Sequence, residues 1–207
     1  MKKILLIFVI FLSSCSPSDD NKKSDKSSNN AIEISGEIKR ISVGNIDAKI
    51  IIITYESLTC SHCADFHKDV YPQLKKDYID TGLAKIEFRH FPLDIAALNA
   101  SKISQCKQDQ GLNILESLYS DQQAWVKGGS EDEINKNLKK FINQKGFSID
   151  FDKCVNNKEV EDFVLNDRIE GAKNFDVNAT PTIIINNKKF DKSLNYKNLK
   201  KFLEKLI

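Results

Sequence analysis

Two cysteines, Cys60 and Cys63, lie two residues apart in the segment Cys60-Ser61-His62-Cys63 and constrain this chain more than any other feature. A buried strand predicted over residues 49–55 precedes them, and a helical pattern follows. A sulfur at the start of a helix meets free backbone N–H groups and the positive end of the helix dipole, which favour a thiolate. The same spacing also occurs in half of a zinc site. The segment therefore predicts either redox chemistry or metal binding, and the rest of the chain has to distinguish them.

The N-terminus has the composition of an export signal. Residues 1–14 contain Lys2 and Lys3, then an apolar stretch, and then small residues, in the order typical of signal peptides. The stretch is about nine residues long, too short to cross a bilayer as a helix. The sequence Leu12-Ser13-Ser14-Cys15 resembles the bacterial lipobox, which implies cleavage before Cys15 and a lipid on its sulfur. An ordinary signal peptide cut nearby is the alternative, and in both cases an exported chain is permitted disulfides.

The chain that follows divides into a tether and one domain. Residues 15–30 consist mainly of Ser, Asp, Asn and Lys, so they cannot bury enough surface to offset the entropy of ordering. Residues 31–207 are long enough for one domain with a sizeable core.

The full chain has 31 Lys and Arg against 29 Asp and Glu, and loss of Lys2 and Lys3 would balance the two signs. This near-neutral charge argues against nucleic acid as a partner.

The predicted order of elements is strand–helix–strand, then a block of helices, then strand–strand–helix. Apolar residues recur every four positions from Phe66 to Tyr78, in a helix that Pro72 should kink and Gly82 should end. Further along lie a parallel strand at 84–91, helical periodicity from 93 to about 175, a strand from 182 with a turn at Asn186-Asn187, and a final amphipathic helix. This order predicts an α/β domain with a helical insertion in its middle.

Four segments of the chain resemble the DsbA-like thiol-disulfide oxidoreductases of the thioredoxin superfamily. They are Tyr55-Glu56-Ser57-Leu58-Thr59-Cys60-Ser61-His62-Cys63, Tyr78-Ile79-Asp80-Thr81-Gly82, Arg89-His90-Phe91-Pro92-Leu93 and Asn178-Ala179-Thr180-Pro181-Thr182. The resemblance covers nearly all of the predicted domain. It implies a thioredoxin fold over residues 31–92 and 176–207, a helical insertion over residues 93–175, and an enzyme that needs neither a cofactor nor a metal.

The resemblance also implies a role for each residue near the cysteine pair. Cys60 would be the nucleophile and Cys63 the resolving thiol. A positively charged His62 would stabilise the Cys60 thiolate, and His62 as a mere polar spacer is the alternative. The Thr180–Pro181 bond would be cis and lie against the active-site disulfide, where the backbone of Thr180 pairs with an extended substrate segment.

Two departures from the family pattern concern how the site is tuned. Family members typically carry Cys-Pro-His-Cys, so Ser61 leaves the oxidising strength open. Relatives often place a buried, proton-relaying Glu six residues before the first cysteine, where this chain has Thr54. Glu56 lies on the same face of the strand and is either a substitute proton relay or a surface acid. His67 and His90 are expected to be structural or surface side chains.

Cys106 and Cys154 are the cysteines that remain once Cys15 is assigned to lipid and the C-x-x-C pair to chemistry. Both fall on apolar faces of predicted helices, and we predict that they form a structural disulfide. Two buried free thiols, or a second redox pair, are the alternatives. Closing a loop of about 49 residues would stabilise the fold by up to roughly 4 kcal/mol in the chain-entropy description.

The leading hypothesis is a catalyst that donates its disulfide to exported proteins with free cysteines. The family implies reoxidation by a quinone-linked membrane partner of the DsbB type, and lipid on Cys15 would hold the protein at the membrane in the periplasm or another extracytoplasmic space. An isomerase or reductase is the nearest alternative, but residues 31–40 are too short for the dimerisation domain of dedicated isomerases. A metal-binding lipoprotein would use the cysteine pair with His62 or His67, although no second C-x-x-C or H-x₃-H completes four ligands.

Overall fold

Within the described part of the chain, five strands form a single mixed sheet. The computed structural model describes residues 37–207. The predicted signal peptide at 1–14, the predicted tether at 15–30 and the predicted lipid site at Cys15 lie outside the described residues. The strands are β1 (Ile41–Gly44), β2 (Ile50–Glu56), β3 (Ala84–His90), β4 (Thr182–Ile185) and β5 (Lys188–Lys189). Their order across the sheet is β1-β3-β2-β4-β5.

Strand β2 lies at the centre of the sheet because its side chains are suited to burial on both faces. All but one of its residues are buried, as expected for a strand that reads as a continuous apolar run. It pairs in parallel with β3, where Ile52 lies opposite Ile86, and antiparallel with β4, where Thr54 lies opposite Ile183. The parallel pairing that the sequence predicts is confirmed.

The connection from β2 to β3 is a helix with two π-helical segments. Helices α1 (Ser61–Asp65) and α2 (Tyr71–Leu74) alternate with π turns at Phe66–Val70 and Lys75–Ile79. Pro72 lies in the first turn of α2, where its missing N–H is tolerated, and the irregularity predicted there takes the form of widened turns on either side. The segment ends before Gly82, whose φ of +77° favours glycine.

Six helices separate β3 from β4, and one closes the chain. They are α3 (Ile95–Cys106), α4 (Gly111–Ser120), α5 (Gln122–Trp125), α6 (Glu131–Gln144), α7 (Phe151–Val155), α8 (Lys158–Phe175) and the terminal α9 (Tyr196–Leu203). Several begin after an Asp, Asn or Ser whose side chain accepts a bond from a backbone N–H of the first turn, the usual N-cap. These caps are Asp94, Ser130, Asp150, Asn157 and Asn195. The predicted fold class, an α/β thioredoxin fold with a helical insertion, is confirmed.

A disulfide ties two helices of the insertion together. Cys106, the last residue of α3, is bonded to Cys154 of α7 with an S–S distance of 2.01 Å. The buried Trp125 of α5 belongs to the same large core as these helices and the Ile50 side of β2. Among residues 37–207, no helix is long and apolar enough to cross a membrane.

A second, smaller core lies on the other face of the sheet, where α8 packs. It contains Tyr55 of β2 and Phe91, whose rings meet edge to face with centroids 6.5 Å apart. Gly171 of α8 lies against the Tyr55 ring, and an added Cβ there would be 2.6 Å from Tyr55 Cε1. The absence of a side chain at Gly171 therefore sets how closely α8 approaches the sheet.

We expect Gly171→Ala to lower the free energy of unfolding by about 1–3 kcal/mol, because the fully buried Tyr55 ring has no space to move away. Guanidinium unfolding followed by circular dichroism measures the change. Gly129→Ala is the control, since a Cβ there meets nothing nearer than 3.9 Å, and its effect should stay within about 0.5 kcal/mol. Equal unfolding midpoints for the two variants would contradict the close packing of α8.

Candidate active site

Cys60 occupies the N-cap of α1, directly after the loop that follows β2. Its backbone N–H donates to the carbonyl of Ser57 at 3.0 Å, and its carbonyl accepts from the N–H groups of Cys63 and Ala64 at 3.2 Å. Its φ and ψ of −78° and 120° are extended, as is usual at this position. The Cys60 sulfur therefore stands where a capping oxygen normally stands, facing the free N–H groups of the first turn.

Two side chains from the helical insertion hold the loop that precedes Cys60. Asp94, which also caps α3, accepts a hydrogen bond from the Thr59 hydroxyl at 2.8 Å. Gln122 is buried, and its Nε2 donates to the carbonyls of Leu58 and Cys60 at 2.9 and 3.0 Å. The sequence reading did not identify Gln122, because nothing in its local pattern separates it from the other polar residues of the helical block.

The two sulfurs of the pair have different surroundings. Both are free thiols; Cys63 is completely buried, and Cys60 is partly exposed. Burial, then the hydrogen bond with Cys60 and the charge of Glu56, raise the pKa of the Cys63 thiol far above its ordinary value. At neutral pH, Cys63 is therefore a protonated thiol, and the accessible sulfur is that of Cys60.

The pKa of Cys60 is lowered from an ordinary value of 9.0 to about 5, first of all by the hydrogen bond from the Cys63 thiol. Partial burial opposes the shift, while the Thr180 side chain and the backbone N–H groups of Cys63 and His62 add to it. Thr180 Oγ1 is buried and has no hydrogen-bond partner within residues 37–207. Its proton is therefore available to a thiolate, and donors aimed at the charged form lower a pKa.

His62 contributes to this site through its backbone. Its imidazole is 81% exposed, and Nδ1 lies 3.7 Å from the carboxylate of Asp65. In the first turn of a helix, the backbone N–H groups point towards the cap while side chains project outwards. The share of His62 in stabilising the Cys60 thiolate therefore comes from its backbone N–H, and the charged ring predicted from the sequence is not among the causes of the lowered pKa.

The loop before β4 meets the cysteine pair from the other side. The Thr180–Pro181 peptide bond is cis. The carbonyl oxygen of Thr180 accepts a hydrogen bond from Cys60 Sγ at 3.4 Å. Beside this contact is a groove of about 500 Å³, whose lining includes Pro181, Phe66 and Leu194. The fold thus brings together Cys60, Thr180 and a groove of mixed polar and apolar lining from three separate parts of the chain.

A buried carboxylate and a buried imidazole are paired close to Cys63. Glu56 Oε2 lies 2.8 Å from Nε2 of His67, and the two side chains are only 3% and 6% exposed. His67 also stacks on Tyr119 of α4, with ring centroids 4.1 Å apart. The interpretation of Glu56 as a surface acid is wrong, and so is that of His67 as a surface histidine, because helices cover this end of β2.

His90 is not part of a metal site in the described part of the chain. His90 is buried, and its ring nitrogen lies 3.3 Å from Gln105 Oε1, while its backbone N–H donates to Asp167 at 3.2 Å. Burial lowers the pKa of His90, which is consistent with a structural role. In the described part of the chain, no three His, Cys, Asp or Glu side chains are grouped so that they could hold a metal ion.

Comparison with known proteins gives consistent matches. A family model described as thioredoxin matches residues 37–205. A Rickettsia conorii protein named a protein-disulfide oxidoreductase is 27% identical over 188 residues, which cover 82% of this chain and 66% of that protein. Disulfide bond formation protein D of Bacillus subtilis is 27% identical over 173 residues, which cover 79% of this chain and 75% of that protein.

Solved structures match over most of the chain. The crystal structure of Wolbachia pipientis alpha-DsbA1 is 30% identical, has a TM-score of 0.73, and is matched over 83% of this chain and 92% of that one. The structure of BdbD from Bacillus subtilis, at 24% identity and a TM-score of 0.65, shares the fold over 81% of this chain and 92% of its own. The chain spans 25% to 66% of the length of the Rickettsia relatives.

Alkylation of the reduced protein measures the ionisation of Cys60. The rate with iodoacetamide should rise with a midpoint near pH 5, in place of about 8.5 for a free cysteine, and folded Cys63 should not react.

Since the folded pKa lies below the unfolded one, the thiolate's contribution to the stability of the reduced protein grows from pH 5 towards 9 and is lost as the pH falls through about 5. A midpoint above pH 8 would contradict the donor arrangement.

Thr180→Val tests the hydroxyl donor, because it retains the shape of the side chain and removes the proton. The pKa of Cys60 should rise by about one to two units, since a hydrogen bond to a charged group is worth about 1.5–3 kcal/mol. His62→Ala keeps the backbone N–H and should change the alkylation midpoint less. A larger shift of the alkylation midpoint in His62→Ala than in Thr180→Val would assign the lowered pKa of Cys60 to the imidazole.

Proposed function

Because the chain belongs to the thioredoxin family, and within it to the DsbA-like proteins, we propose that it is a protein disulfide oxidoreductase that introduces disulfide bonds into exported proteins. The observation that carries this proposal is the contrast between Cys60, with a pKa of about 5, and the buried Cys63, whose pKa is raised. A stabilised Cys60 thiolate stabilises the reduced enzyme, and its disulfide is then a strong oxidant. The names of the relatives, which refer to protein-disulfide oxidoreductase and disulfide bond formation, agree with this reaction.

The reaction begins with the oxidised pair. A client thiolate attacks Cys60, the Cys60–Cys63 bond breaks, and Cys63 leaves and takes up a proton. A second client thiolate then attacks the client sulfur of the mixed disulfide, and Cys60 leaves as a thiolate. The client has lost two electrons and gained a disulfide, and the enzyme has gained them as one thiol and one thiolate. The first attack occurs at Cys60 because its sulfur is the accessible one, while Cys63 is buried. The low pKa of Cys60, about 5, makes it a good leaving group in the second step.

The client segment binds beside the loop of Thr180. In this proposal its backbone pairs with that of Thr180, as in strand-addition recognition. The adjacent groove of about 500 Å³ accepts an apolar client side chain next to Phe66 and Leu194. Backbone pairing with one shallow groove suits an enzyme that acts on many unfolded sequences.

Glu56 is proposed as the group that exchanges a proton with Cys63. Its carboxylate is buried, and its charge is among the causes that raise the pKa of Cys63. Glu56 Oε1 finds no hydrogen-bond partner among the described residues, so it is free to take a proton. It would substitute for the acid that relatives carry at the position of Thr54.

The place of action and the partners are part of the same proposal. An export signal at residues 1–14 and a lipid on Cys15, both outside the described residues, would tether the enzyme at the outer side of a membrane. A membrane oxidase of the DsbB type would return the reduced enzyme to its disulfide form. An isomerase or reductase with the same site is the competing function, and the reduction potential separates the two.

We expect the Cys60–Cys63 pair to have a reduction potential near −120 mV, in the range of strong oxidants, when equilibrated with glutathione. The measurement uses a variant with Cys106 and Cys154 replaced by Ala, so that one pair alone exchanges. Oxidation of a reduced client peptide by the unmodified protein is the parallel assay. A potential near −270 mV, that of thioredoxin, would overturn disulfide donation and favour a reductase.

A further inference from the structure

A second groove lies between the active-site helix and the helical insertion. It has a volume of about 1050 Å³ and begins at Ser61, next to Cys60. Its walls come from α1, α2, α4 and α5, and the Thr180 loop is not among its lining residues. The exposed side chains of Lys68 and Lys127 stand at its edge, while His67 and Tyr71 line it from the buried side. This groove therefore joins the interior near the cysteine pair to solvent.

Only one of the two ring nitrogens of His67 has a hydrogen-bond partner in the described residues. Nε2 is paired with Glu56 Oε2 at 2.8 Å, while Nδ1 is buried and has no hydrogen-bond partner in residues 37–207. The hydroxyl of Tyr71 is also buried without a hydrogen-bond partner in these residues. The His67 and Tyr71 rings lie with their centroids 5.4 Å apart. A buried polar atom left unpaired costs about 1–3 kcal/mol. His67 and Tyr71 both line the groove, so each wall residue carries one buried polar atom without a partner.

The groups that face His67 come from the sheet and from the helices around it. Glu56 faces it from β2, Tyr71 from α2 and Tyr119 from α4, while Phe66 and Phe88 contribute apolar rings. Burial raises the pKa of both tyrosines, so that they stay protonated. The charged residues that line the groove are Asp65, Lys68, Lys75, Glu116, Asp121 and Lys127. Glu56 and His67 are the other two groups of the buried cluster that can exchange a proton.

We propose that His67 connects the proton exchange of Cys63 to solvent: the Glu56–His67 pair takes up the proton of Cys63, and His67 Nδ1 releases it into the groove. This inference rests on the proposed function, in which Cys63 alternates between thiol and disulfide. When the enzyme is reoxidised, Cys63 loses its proton and attacks Cys60 in the mixed disulfide with the oxidant. The oxidant's sulfur leaves with the electron pair, and the proton passes to the Glu56–His67 pair and then to solvent. In client oxidation the proton moves in the opposite direction.

His67 acts through Glu56, so it is a positioning and relay residue whose loss slows one step. The step is the resolution of a mixed disulfide between Cys60 and glutathione, formed by mixing reduced enzyme with oxidised glutathione and followed by acid quenching and mass spectrometry. We expect His67→Ala to resolve it at least about tenfold more slowly at pH 7, since general acid–base groups contribute about 10²–10⁴-fold. Gln123→Ala, an exposed change in the same groove, is the matched control and should react at the unmodified rate.

Rescue by imidazole separates proton transfer from a structural role. Removing the His67 ring opens space that is continuous with the groove, so imidazole added to His67→Ala should restore much of the lost rate with saturation, and should not accelerate the unmodified protein. Iodoacetamide alkylation of Cys60 should keep its midpoint in His67→Ala, because none of the donors that lower its pKa has been removed. A wild-type resolution rate in His67→Ala, or a slow rate that imidazole leaves unchanged, would overturn the inference.

A second variant covers the case in which His67→Ala does not fold. His67→Gln keeps a donor for the buried Glu56 carboxylate but cannot transfer a proton, and it should show the slow step together with the unmodified Cys60 alkylation. A normal rate in this variant would again overturn the role of His67. Failure of the proposed function is a separate result, because the unmodified protein would then not oxidise a reduced client peptide at all.

Discussion

The chemistry of this protein depends on the hydrogen bonds that converge on one sulfur at the end of a helix. Cys60 is the N-cap residue of α1, and the backbone N–H groups of Cys63 and His62 are among the donors that lower the pKa of its sulfur. The Cys63 thiol and the Thr180 side chain add donors from two further directions. Cys63, one turn along the same helix, has the opposite surroundings and remains a thiol. One turn of helix thus carries an accessible sulfur whose pKa is lowered and a buried sulfur whose pKa is raised.

The helical insertion does more than enlarge the core. Gln122 of α5 holds the backbone on both sides of Thr59, and Asp94 at the start of α3 holds the Thr59 hydroxyl. Tyr119 of α4 stacks on His67 and thereby covers its pairing with Glu56. The strand–helix junction supplies the exposed sulfur of the pair, and the insertion positions the loop and encloses the buried Glu56–His67 pair. Both parts of the chain are needed to build one site.

Features that depend on neighbouring residues could be predicted from the sequence, whereas features that depend on contacts between distant residues could not. The central strand and its parallel partner were predictable, because a continuous apolar run and the helix after it are local patterns. Glu56 was placed on the correct face of β2 by the two-residue period of a strand. Its burial was not predictable, because the covering residues lie far away in the chain. Similarly, the exposure of the His62 ring depends on the direction of α1, which composition does not reveal.

The class of chemistry can be predicted from the sequence alone. A C-x-x-C pair at a strand–helix junction favours a thiolate at the first cysteine, and the four motifs together indicate the family and its fold. Which groups surround that pair depends on how distant parts of the chain pack together. Thr180 and Gln122 are about 120 and 62 residues away from Cys60 along the chain, yet both form hydrogen bonds to it. The burial of the Glu56–His67 pair depends on the packing of α4 against the active-site helix. The same packing forms the groove that His67 lines. Such contacts are set by the close packing of the whole core, so no local pattern could have specified them.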